Sequence, residues 1–179
     1  MAEVRELEAA LIHHLQEMND SRNTDWNALV SLCLAAYDLG TAFSWDKALA
    51  GGDILAGLQG VTALIECSMM SAPLEILEGQ HPAELLCRVR SGLEFLRSIM
   101  GRDGEDDIAA LNACLEIRLK EVQYFGQIPE LIPLDTHWWW TLAVAEPVIS
   151  SSSDENEDSS GTESLEEGYD SDHENDNHN

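Results

Sequence analysis

Basic side chains are scarce in this chain. Its 179 residues hold nine Lys and Arg against 34 Asp and Glu, a formal net charge of −25. So few cations cannot neutralise a row of phosphates, which argues against direct nucleic-acid binding and against anionic membrane surfaces. Cysteines are few and scattered: Cys33, Cys67, Cys87 and Cys114, with no CxxC pair. Neither a disulfide framework nor a zinc site is expected, and all four are read as reduced, buried thiols. No uninterrupted run of 18 apolar residues occurs, so no membrane span is expected. The opening stretch MAEVRELEAALIHHLQEM carries acids among its apolar residues and lacks the apolar block of a secretion signal. These readings place the protein inside the cell, in the cytoplasm, the nucleus or both.

Catalytic signatures are missing as well. None of the six histidines stands in an HExxH arrangement. His13 and Glu17 share a helix face, but no third ligand follows at suitable spacing. Gly51-Gly52 lacks the lysine of a phosphate loop, and there is no GxSxG turn. The expectation is therefore no catalytic residues, no metal and no cofactor.

What the chain does have is a tail. Ser151 to Asn179 contains eleven acids and no lysine or arginine, with only Leu165 and Tyr169 bearing sizeable apolar groups. Such a segment cannot bury enough surface to offset its ordering entropy, so residues 150–179 are expected to be disordered. The remaining body keeps 23 acids and all nine bases, net −14, so acidity is not confined to the tail.

Serines in the tail are regularly placed. Ser151, Ser152, Ser160, Ser164 and Ser171 each have an acid three residues later. That pattern is similar to the sites of acidophilic kinases of the casein kinase 2 type, and each phosphate would add about −1.5 to −2 charges. Asp158-Ser159-Ser160-Gly161-Thr162-Glu163-Ser164 resembles the DSGxxS phosphodegron family, read by the WD40 receptor of a cullin-RING ubiquitin ligase. Ser160, Gly161 and Ser164 match in spacing, while Ser159 replaces the aspartate. Two phosphoserines around a glycine turn suit a ring of arginines. Tyr169, flanked by acids, resembles acidic–aromatic strings that bind pleckstrin-type domains of transcription factors.

The body, residues 1–149, reads as an all-α bundle of five or six helices. The first has Leu7, Leu11, Leu15 and Met18 on one stripe. A second runs from a Thr24 cap to Gly40 as its terminator. Ser44 is expected to cap a short turn. Asp53 caps a third helix, with Pro73 closing its region. A fourth starts at Pro82, with Leu85, Val89, Leu93, Leu96 and Met100 facing inward. A fifth begins at Glu105-Asp106-Asp107 and buries Ile108, Leu111, Leu115, Leu119 and Val122. Residues 127–149 are rich in Pro and Trp, and GQIPELIPLD is expected to be extended. Trp138, Trp139 and Trp140 cannot all face one way on a regular element. They are read as a packed strap, or, if exposed, as partner-binding aromatics. Trp139-Trp140-Thr141-Leu142 fits the WxxL form read by autophagy-receptor-binding proteins. Leu96-Arg97-Ser98-Ile99 resembles the short helix of the cell-death regulators, with Met100 breaking its spacing.

These features point to a non-enzymatic adaptor whose phosphorylatable tail recruits or tunes a protein partner. The combination resembles, in architecture, small viral accessory proteins. The alternative is an acidic chaperone or nucleic-acid mimic that holds histones or other basic proteins by charge.

Overall fold

The computed structural model describes residues 2–102, 108–122, 124 and 126–144. The tail serines and the tail's expected disorder lie outside them, as do Glu105, Asp106 and Asp107. Six α-helices are present among the described residues: α1 (Ala2–Ser21), α2 (Trp26–Ala42), α3 (Gly52–Glu78), α4 (Ala83–Ile99), α5 (Ala109–Glu121) and α6 (Trp139–Ala143). One 3-10 turn, Lys47–Leu49, joins α2 to α3. The all-α bundle read from the sequence is what the chain forms. A single parallel bridge, Tyr124 to Val144, is the one β-type pairing seen in the described residues.

Helix α1 follows its stripe: Leu11, Leu15 and Met18 are buried, and Leu7 is half-buried at the edge. It ends where Ser21 Oγ donates back to Glu17 O and Arg22 turns left-handed at φ 52°. The next cap is Asp25 rather than Thr24. Asp25 Oδ1 accepts from Ala28 N at 2.8 Å, a bond that holds the carboxyl below its ordinary range. Similarly, Asp46 rather than Ser44 caps the Lys47–Leu49 turn, accepting from Ala48 N at 3.0 Å.

Gly40 does not end α2. The helix continues to Ala42, and Gly40 is buried beneath the Trp45 indole, where a Cβ would come within 2.8 Å of the ring. Its smallness serves packing, not a left-handed terminus. The chain reverses instead at Ser44 and Trp45, with φ of 49° and 64°.

Helix α3 runs straight through Pro73 to Glu78. A proline inside a helix costs about 3 kcal/mol. Ala72 and Ile76 on either side are buried, and that packing against the body offsets the cost. Helix α4 departs from its expected single stripe. From Ala83 to Arg97 nearly every turn is buried on all sides, while Leu85 and Met100 are only half-buried. It is the central helix and packs most extensively on α2. Gly92 makes that possible: a Cβ there would fall on the Cys33 carbonyl oxygen of α2. Helices α1 and α3 flank this pair, and α5 packs along α3 with Ile108, Leu111, Leu115 and Leu119 buried and Val122 half-buried. The GQIPELIPLD stretch is turned rather than extended, and it buries Ile132.

The cysteine reading needs one correction. Cys33 and Cys87 are buried, and burial pushes both thiols up to about 12. Cys114 is half-buried, and Cys67 is exposed on α3.

Candidate functional site

Ser151, Ser152, Ser159, Ser160, Gly161, Ser164, Tyr169 and Ser171 fall outside the described residues. The tryptophan segment comes first. Trp139 and Trp140 are fully buried, and Trp138 is half-buried. Both buried indoles donate to one hydroxyl: Trp139 Nε1 at 3.1 Å and Trp140 Nε1 at 3.0 Å from Ser91 Oγ. Trp139 Nε1 also reaches Cys87 O at 3.2 Å. The Arg90 guanidinium stacks 4.2 Å from the Trp139 ring, and is itself tied to Asn112 Oδ1 and Glu94 Oε2.

This cluster is the lid of the core. Trp139 and Trp140 are therefore not a free partner surface, because their rings and both N–H groups are already committed inside the fold. The WxxL reading fails with them in this fold. Leu96 of the cell-death-like stretch is also fully buried.

His137 sits at the rim of the lid, its ring 4.6 Å from Trp45 and 5.0 Å from Trp139. Its Nδ1 lies 3.2 Å from Pro133 O and 3.0 Å from Thr136 Oγ1. Burial lowers its pKa below the ordinary 6.5, against an opposing pull from the Pro133 carbonyl. It lines a cleft of about 410 Å³ with Trp45, Lys47, Glu94 and Phe95.

A larger cleft, about 570 Å³, opens between the end of α1 and the start of α2. It gathers His13, His14 and Glu17. Glu17 lies 3.6 Å from His13 Nε2 and 3.1 Å from His14 Nδ1. Among the described residues no group of three His, Cys, Asp or Glu could hold a metal ion.

The feature that sequence reading missed is the outside of α3. Its inner stripe, including Ile54, Leu58, Val61, Ile65, Ala72 and Ile76, is buried. The opposite side carries a second apolar stripe that stays exposed: Met70 is 84 %, Leu74 59 % and Leu77 42 % open to solvent. Ile117 of α5 is also exposed, at 53 %. Leu55 is exposed near the start of α3. By length and composition α3 reaches what a membrane span requires: it is 27 residues long and holds an 18-residue window of mean hydropathy 1.4, 33 % of that window being buried in the body. A signal was present in the sequence. Two opposed apolar stripes on one helix blur into a general hydrophobicity, so the segment reads as plain core.

The arrangement offers binding surface and packed aromatic core. No family model matches the chain, and neither the curated proteins nor the solved structures contain a significant match.

Proposed function

We propose that this protein is a non-enzymatic interaction protein: a helical body joined to an acidic segment whose phosphorylated serines recruit a partner. The observation that carries the reading is the order of residues in 151–179. Five serines there have an acid at the third following position, and Ser160-Gly161-Thr162-Glu163-Ser164 places two serines four residues apart with a glycine between them. Phosphorylation would convert that stretch into two dianionic groups four residues apart, a spacing an arginine-lined receptor can meet. The kinase is of the acidophilic type. The partner carries clustered basic side chains, as the ubiquitin-ligase receptor of the phosphodegron family does.

The body supports an interaction role through exposed apolar side chains concentrated on one helix. The test is affinity capture from eukaryotic lysate with four versions of the full chain: unaltered, S160A/S164A, tail-shuffled, and truncated before residue 151. Recruitment predicts that one specific interactor is lost from the last three. Retention with the shuffled tail, weakening steeply with salt, replaces this reading with the acidic-chaperone one.

A further inference from the structure

We propose that the outer face of α3 is a two-fold, antiparallel interface with a second copy of this chain. The residues on that face are Ala56, Gly60, Ala63, Cys67, Met70, Leu74 and Leu77. All seven are exposed in the folded body. Their spacings alternate 4, 3, 4, 3, 4, 3. That is a 3.5-residue repeat, the spacing of a seam that packs against another helix. The inner stripe already serves the core, so this seam has no partner within the described residues.

Three observations select a second copy as the occupant. The first is shape. The seam divides into a small half (Ala56, Gly60, Ala63) and a bulky half (Met70, Leu74, Leu77), with Cys67 between them. An antiparallel two-fold lays the bulky half of each copy on the small half of the other, so one surface complements itself. Parallel pairing would set bulk on bulk and leave the small half unfilled.

The second is Gly60. A glycine inside a helix costs about 1 kcal/mol relative to alanine. Among the described residues nothing requires it, since a Cβ at Gly60 would meet none of their atoms within 4 Å. The open space is what an approaching helix would occupy. Gly57 differs: its Cβ would come to 3.0 Å of Leu15 Cδ1, so that glycine is explained by α1.

The third is charge. The body carries net −14, yet no seam position is charged. A basic partner is drawn to the acidic faces and gains nothing here. Two acidic copies repel wherever carboxylates face each other; the strip itself adds no charge to that repulsion, although Asp53, Glu66, Glu75 and Glu78 of the same helix lie outside it.

The size of the strip sets the strength. From Ala56 to Leu77 a helix spans about 32 Å, and its width is about 10–12 Å. The footprint is roughly 350 Å² per copy, about 700 Å² in total, below the roughly 1,200 Å² at which stable specific interfaces begin and in the range of transient ones. The dimer is therefore weak and reversible. The inference does not depend on what the tail recruits.

The test is sedimentation velocity on the full chain over a concentration series, paired with a short bis-maleimide thiol crosslinker. Each thiolate adds across one maleimide double bond and the carbon takes up a proton, so no oxidant is needed. The expected result is a concentration-dependent dimer, trapped by the crosslinker through Cys67 and not trapped in C67S. A63E alone and M70K alone should each raise the dissociation constant at least about tenfold. The A63E/M70K double variant should recover much of it, since antiparallel pairing brings the two positions together across the axis. Circular dichroism checks that each variant keeps its helix content.

A chain that stays monomeric with no Cys67 crosslink overturns the proposal. So does a dimer indifferent to A63E and M70K, or recovery failing in the double variant. A monomer that floats with phosphatidylcholine vesicles overturns it in favour of a lipid surface.

Discussion

Ser91 shows how much one small side chain carries. Its oxygen accepts from two buried indoles and so anchors the whole tryptophan lid to α4. Replacing it by alanine leaves Trp140 Nε1 with no acceptor among the described residues, while Trp139 keeps Cys87 O. A buried donor left unpaired costs about 1–3 kcal/mol. S91A should lower the urea midpoint accordingly, whereas S98A, whose hydroxyl bonds only within its own helix at Phe95 O, should shift it by less than about 0.5 kcal/mol.

His137 predicts a pH dependence of definite sign. Its folded pKa lies below the ordinary 6.5, so the unfolded chain takes up the proton first as pH falls. The native state is unpenalised above that value and loses stability as pH drops below it. The melting temperature of H137Q should fall less than that of the unaltered protein between about pH 7.5 and about pH 5.5. Equal slopes would show that His137 does not titrate in this window. Histidine at this position was visible in the sequence. Its burial was not, because Trp45 reaches it from a distant part of the chain.

At the scale of elements, the packing of α2 on α4 turns on Gly92. A Cβ there meets the Cys33 carbonyl, which is backbone and cannot swing aside. G92A must push the two helices apart, and overpacking of this kind costs about 1–3 kcal/mol or more. Thermal unfolding of G92A checks this; an unchanged melting temperature would mean that the two helices separate freely. The helices themselves were largely legible from apolar spacing, as Leu11, Leu15 and Met18 in α1 and Leu111, Leu115 and Leu119 in α5 show.

Terminators were read less well. Gly40 and Pro73 both carry strong local stop signals, and α2 and α3 run through each of them. Local propensity is worth a few kcal/mol at most, and burial of the flanking turns outweighs it. The lid was legible as a strap because three adjacent tryptophans cannot share one face. Which of them the core would take depended on where Ser91 and Arg90 stood.

At the scale of the whole molecule, charge dominates. A body of net −14 in a chain of −25 repels itself. Some of its acids are paired, as Asp38 is with Arg88 at 3.0 Å and Glu66 is with Arg102. Screening that repulsion should stabilise the fold, so the melting temperature should rise by a few degrees between low salt and about 0.5 M sodium chloride. A flat or falling curve would show that the surface pairs matter more than the net field.

Composition and spacing alone determined the helical class, the acidic character and the ordered pattern of serines and acids in residues 151–179, because these are properties of local order and of sums. Only the tertiary structure decided which apolar stripe is used. Helix α3 presents two, and nothing local distinguishes them. The body covers one because α1, α2 and α5 arrive on that side, and it leaves Ala56 to Leu77 facing outward.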